Sequence, residues 1–213
     1  MTRHRSMSKR ALLLEAQSPL HLVSHHPHNP YCETCILAHL KQSRMHRKTP
    51  AADDELPATT DTGQKLSADH IIVARDANPD DPKAAFTGET YAFSVRDRFS
   101  GMALVFPQTK KNKEETYKAL KFFQGLSGRF RPDIMVKSDH ASEITSAVAE
   151  LGWHPDPSLE NRFPHNAEHE RWIGIVKSVQ RACVSQSGLP PKTWNLSFPF
   201  AAIALSVIQK API

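Results

Sequence analysis

The chain has 213 residues, 39% of them hydrophobic, and a formal net charge of +5, enough for one substantial core plus a small appendage. The charge is concentrated at the head: residues 1–49 carry eight Lys/Arg against Glu15 and Glu33, while residues 50–213 carry 19 basic and 20 acidic groups, a distribution that suits a polyanionic partner. No apolar run approaches a membrane span, and the basic N-terminus lacks the apolar stretch of a signal peptide, so the sequence reads as non-secreted and without a membrane partner.

Residues 1–20 are basic and then mildly helical (ALLLEAQ), and read as a partly disordered N-terminus. Residues 21–40 follow with the densest set of soft ligands in the chain, HLVSHHPHNPYCETCILAHL. His21 and His25 are spaced i, i+4, which puts both imidazoles on one side of a helical turn. Cys32 and Cys35 have the spacing of zinc-knuckle thiolates, and two His with two Cys complete a tetrahedral Zn²⁺ site. Such a metal would organise a segment too short to have its own core. His26 and His28 are competing ligands, and spacing favours His25. A redox role for the C-x-x-C pair would need a surrounding βαβ pattern, which is missing. The third cysteine, Cys183, falls on the apolar face of a later helix and reads as core filler.

Residues 41–64 show no apolar periodicity and many Pro, Thr, Asp and Lys residues, and read as a linker. From residue 65 to 211 the pattern is that of a mixed sheet with helices packed on it. A strand is expected at 66–73, containing Asp69, and a hairpin at 91–95 and 102–106, with Asp97, Ser100 and Gly101 in its turn. A helix at 113–125 and a short strand at 132–136 come next, the strand delivering Lys137, Ser138 and Asp139 at its carboxyl end. A helix at 142–151 precedes a Pro-rich loop at 152–166, and an apolar last helix spans about 192–209 with Pro199 starting or kinking its second half.

Between these lies the most informative stretch, residues 164–188, PHNAEHERWIGIVKSVQRACVSQSG. Asn166 can cap a helix and Gly188 can close it. With Glu170 as zero, Gly174, Lys177 and Arg181 lie within about 40° of it, while Trp172, Ile175, Val176, Val179 and Cys183 form an apolar face between about 140° and 240°. Glu168 points about 160° from Glu170, toward the packing side. The helix is therefore expected to pack by its apolar face and to present Glu170 at the head of a basic stripe.

Asp69 in one strand and Asp139 at the end of another lie where α/β sheets collect sites. If the strands are neighbours and the Glu170 helix crosses them, three carboxylates converge. Hard oxygen ligands of this kind hold two Mg²⁺ or Mn²⁺ ions able to drive phosphodiester chemistry. Asp76, Asp80, Asp97, Glu143, Glu160 and Glu168 are alternative acids.

PHNAEHER followed by GLPPKTW resembles retroelement integrases, most closely those of copia-type retrotransposons, in which an Asn-Gly-x-x-Glu-Arg motif opens the helix with the catalytic glutamate. Asn166, Glu170 and Arg171 match, and Ala167 stands where the family has Gly. KSDHASEI resembles the signature around the second aspartate, with Ser138, Asp139 and Glu143 matching; YAFSVRDRFSG resembles the hairpin after the first catalytic strand, making Asp97 a turn residue and Asp69 the first aspartate. The resemblance implies a ribonuclease H-like core behind a small N-terminal His2Cys2 zinc-binding module. It also implies metal-dependent DNA strand transfer by Asp69, Asp139 and Glu170, phosphate contacts from Lys177, Arg181 and Arg171, action in the nucleus after synthesis in the cytoplasm, and a homo-oligomer on element and target DNA. The sequence shows no DNA-binding domain after the last helix and no protease or polymerase, so the chain is expected to be a fragment, a processed piece or a decayed copy of a larger polyprotein. A non-catalytic remnant that binds nucleic acid or self-associates is the alternative; a cellular ribonuclease H-type nuclease leaves the His/Cys module without a role.

Overall fold

The computed structural model describes residues 7–38, 59–74, 83–127, 133–157 and 166–208. Most of the expected linker, including residues 41–58, and the end of the Pro-rich loop, residues 158–165, lie outside them.

Five strands form one mixed sheet in the order β3-β2-β1-β4-β5. β1 (Lys65–Ile72) is central, antiparallel to β2 (Tyr91–Asp97), which is in turn antiparallel to β3 (Ala103–Gln108); β4 (Met135–Ser138) and β5 (His154–Pro157) continue the sheet in parallel. This is a ribonuclease H-like sheet. The hairpin turn is held by Asp97, which ends β2: its Oδ1 accepts from the Gly63 N–H at 3.2 Å and its Oδ2 from the Ser100 N–H at 3.0 Å. Asp97 is thereby a turn residue.

Successive side chains on a strand alternate between faces, and here the alternation separates two cores. Leu66 and Ala68 of β1 and Phe93 and Val95 of β2 pack with Leu120, Ile144 and Val148, from α4 (Lys113–Ser127) and α5 (Ser142–Glu150). Ile71 of β1 and Ala92 of β2 face the other way, against Trp172, Ile173, Val176 and Val179 of α6 (Ala167–Ser187) and Trp194, Phe198 and Leu205 of α7 (Trp194–Ile208). Each large apolar side chain buried in this layer contributes about 1.5–3 kcal/mol. Odd-numbered β1 positions, Ser67 and Asp69 with Ile71, therefore lie on the α6 face.

Several elements differ from the sequence expectation. The stretch HPDP, expected as loop, forms β5; among the described residues it pairs only with β4, and an edge tolerates prolines that cannot donate to a ladder. α6 starts at Ala167, but the Asn166 side chain makes no cap: its Nδ2 reaches the Lys137 carbonyl at 3.5 Å, tying the helix start to β4 instead. Gly188 closes α6 in the left-handed region at φ 68°. Pro199 sits within a continuous α7, which is entered through a 3-10 turn, Pro191–Thr193.

Upstream, α1 (Lys9–Ala16), α2 (Pro19–Ser24) and α3 (Glu33–Ala38) gather around the His/Cys segment, and α3 packs on α6. No helix among the described residues is long and apolar enough to cross a membrane.

Candidate active site and metal centre

The parallel pairing of β1 with β4 runs from Lys65 opposite Met135 to Ser67 opposite Lys137. Continued by two residues, it brings Asp139, just past β4, alongside Asp69. The first turn of α6 adds Glu170 from the layer that Asp69 faces. The electrostatics report the convergence: the Asp69 carboxyl is pushed up to about 6, first by burial and then by the charges of Asp139 and Glu170, against the opposing pull of the His70 N–H and Lys111. That N–H lies 2.7 Å from Asp69 Oδ1.

His169, completely buried beside the exposed Glu170, locks this arrangement. Ser67 Oγ lies 3.0 Å from its Nδ1 and Ser94 Oγ lies 2.8 Å from its Nε2, while Ser94 donates its own proton to the Asp69 carbonyl at 3.0 Å. With that proton committed, Ser94 accepts from Nε2–H and Nδ1 accepts from Ser67, so one neutral tautomer satisfies the whole chain. Burial and the nearby Arg96 charge push the imidazole down to about 3, keeping it neutral. The ring also stacks on Trp172 at 5.5 Å between centroids. Sequence reasoning passed over His169; the available signal was its place beside the apolar face, where a polar residue needs a partner.

Of the alternative acids, Glu143 is engaged with Lys111 at 2.8 Å. Burial favours the neutral carboxyl of Glu143, but the Lys111 hydrogen bond and charge outweigh it and hold the carboxyl below its usual range. Lys111 in turn feels the negative field of Asp139 and Asp69. Nothing in the sequence singled out Lys111, which lies in the loop between β3 and α4. Glu168 is not on the packing side. It is exposed and paired with Arg96 at 3.2 Å and Arg98 at 2.6 Å, because the first turn of α6 overhangs the end of β2.

Asp139 Oδ1 is buried without a hydrogen-bond partner. An orphaned carboxylate oxygen close to the buried Asp69 carboxyl, which the neighbouring acids help to raise, fits a hard divalent cation such as Mg²⁺ or Mn²⁺.

The second constellation is His21, His25, Cys32 and Cys35, all buried, with one ligand atom from each lying within 4.8 Å of the others. His25 belongs to the group; His26 is half-buried and His28 exposed. α2 ends before His25, which takes the left-handed conformation at φ 47°, so the two imidazoles meet through a turn in the chain rather than along one helix. His21 Nε2 is 3.4 Å from Cys35 Sγ, and His25 Nδ1 is 3.6 Å from both Cys32 and Cys35 Sγ. Burial pushes the Cys35 thiol up to about 12. Two imidazole nitrogens and two sulfurs converging in a small buried space fit tetrahedral Zn²⁺, which would supply the charge that makes a thiolate stable there.

Lys177 and Arg181 line one cavity of about 340 Å³ with Ile71, Lys83, Trp194 and Phe198. Arg181 Nε also donates to the Ala38 carbonyl at the end of α3, at 3.2 Å. Arg171 is exposed.

No protein-family model and no curated protein matches the chain. Among solved structures, a chain of the simian T-cell lymphotropic virus intasome in complex with PP2A regulatory subunit B56 gamma aligns over 66% of this chain at 14% identity and TM-score 0.44. This chain spans 47% of that one. The HTLV-2 integrase catalytic core domain in complex with magnesium aligns in its trimeric and dimeric forms, each over 64% of this chain and 82% of its own, at 15% identity and TM-score 0.43. The ribonuclease H-like fold follows from the strand order and register of the sheet itself.

Proposed function

We propose that this chain is a copia-type retrotransposon integrase that joins element DNA to target DNA by divalent-metal-dependent strand transfer. The observation that carries the reading is the carboxylate cluster: Asp69 is raised first by burial and then by the charges of Asp139 and Glu170, and an oxygen of Asp139 is buried without a partner.

In strand transfer a 3′-hydroxyl oxygen forms a bond to a target phosphorus, the bond to the bridging oxygen opposite breaks, the hydroxyl proton leaves to solvent and the departing oxygen gains one. Asp69, Asp139 and Glu170 hold two Mg²⁺ or Mn²⁺ ions, which when bound supply charge stabilisation for the attacking and leaving oxygens. His169 and Asn166 keep α6 seated, so that Glu170 keeps its place beside Asp69. Lys177, Arg181 and Arg171 contact DNA phosphates, which supply affinity without sequence choice. His21, His25, Cys32 and Cys35 hold a structural Zn²⁺. The protein works as a homo-oligomer on nuclear DNA after synthesis in the cytoplasm.

Asp139→Asn keeps side-chain volume and removes the charge. Strand transfer by the variant in Mg²⁺ is expected to fall by roughly a thousandfold or more, several kcal/mol of transition-state stabilisation, with an unchanged circular dichroism spectrum. Undiminished transfer by this variant removes the assignment, and a wild-type chain that binds DNA without joining it supports the non-catalytic reading.

A further inference from the structure

The two histidines of the His/Cys group turn opposite nitrogens toward the sulfurs. His21 uses Nε2 and leaves Nδ1 at 3.1 Å from Glu15 Oε1; His25 uses Nδ1 and leaves Nε2 at 2.7 Å from Gln186 Oε1. At His25 the outward nitrogen is hydrogen-bonded to an acceptor oxygen, which places its proton there and leaves a lone pair directed at the centre, while His21 has the Glu15 carboxylate beside its outward nitrogen. Histidine ligands of metals need this arrangement.

The two acceptors come from different parts of the molecule. Glu15 belongs to α1, inside the module, and is itself anchored by Asn29, whose Nδ2 also donates to the Leu12 carbonyl at 2.8 Å. Gln186 lies in the last turn of α6, 161 residues from His25. Five residues before it on α6, Arg181 bonds the Ala38 carbonyl at the end of the module. The helix that carries Glu170 in its first turn therefore contacts the module twice near its other end, once through a residue of the His/Cys group.

We propose that Gln186 is a positioning residue of the His21/His25/Cys32/Cys35 site, so that metal uptake by the module and its seating on α6 are one coupled event. The proposal rests on the zinc reading of that site. Gln186 selects the His25 tautomer that binds metal, and the bound metal, by holding His25 in place, keeps the module against the core. Linkage makes the effect reciprocal: whatever factor seating adds to metal affinity, metal adds to seating.

Gln186 is exposed, so replacing it leaves the core intact. In the full chain, zinc affinity measured by competition with a chromophoric chelator is expected to fall roughly 10- to 100-fold in Gln186→Leu, the range for loss of such an outer partner. Gln186→Glu, which keeps an acceptor oxygen, is expected to restore affinity to near the original. Hydrogen exchange supplies the reverse readout: zinc should slow exchange at the C-terminal end of α6 in the original chain and not in Gln186→Leu. Unchanged zinc affinity in Gln186→Leu, or α6 protection indifferent to zinc, overturns the coupling while leaving the zinc site standing. A chain that takes up no zinc overturns both.

Discussion

Asp69 bears the repulsion of the carboxylate cluster. Its carboxyl titrates near 6 in the folded chain against 3.8 in the unfolded one, so between these values the folded state binds the extra proton. Stability from this group therefore rises as pH falls from 6 toward 4, and the penalty is fully present above pH 6. His169 and His70 oppose it. Burial and neighbouring cations lower them to about 3 and about 4 from 6.5, so their contribution is complete above pH 6.5 and is lost as the solution acidifies. Asp69→Asn separates the two effects. In metal-free buffer at pH 7.5 the variant should gain on the order of 2 kcal/mol after allowance for solvent screening, seen as a higher melting temperature. It should also lose most of the further rise that Mg²⁺ gives the original chain. A melting temperature that is lower, or equally responsive to Mg²⁺, would contradict the electrostatic account of this site.

At the scale of elements, α6 joins the two candidate centres. Its first turn holds Glu170 and His169, its middle packs through Trp172, Val176 and Val179, and its last turns hold Arg181 and Gln186. Gly174 stands on its exposed side with nothing within 4 Å of where a Cβ would lie. A glycine inside a helix destabilises it by about 0.5–1 kcal/mol relative to alanine. Gly174→Ala should therefore raise the unfolding free energy by that increment, read as a higher urea midpoint with an unchanged slope. A loss of stability would mean that something packs on this stripe in the free protein. The same stripe carries Lys177 toward the cavity it shares with Trp194, so the variant also reports whether DNA needs a bare backbone there.

For the whole molecule, a basic head on a nearly neutral core predicts association governed by phosphate neutralisation. If about four phosphates are contacted, affinity for duplex DNA should fall on the order of a hundredfold between 50 and 200 mM salt, with little dependence on sequence. Fluorescence anisotropy with two unrelated duplexes measures this; a flat salt response would remove the basic stripe and the head as the DNA-binding surface.

The sequence by itself determined what local patterns carry. The alternation along β1, the hairpin turn at Asp97 and the 3.6-residue period of α6 are legible because each element repeats its own geometry, and His21 to Cys35 are legible as a metal group because they lie close along the chain. The edge strand β5 was hidden by its prolines, which are admissible only where no neighbour needs an N–H. Tertiary structure decided the partners. Ser67 and Ser94 meet His169 across 102 and 75 residues, Gln186 meets His25 across 161, and Lys111 takes Glu143. Periodicity tells which face of a helix or strand is buried, but a hydrogen bond is set by which other face is laid against it, and that depends on the spatial order of the strands in the sheet and the helices packed on it.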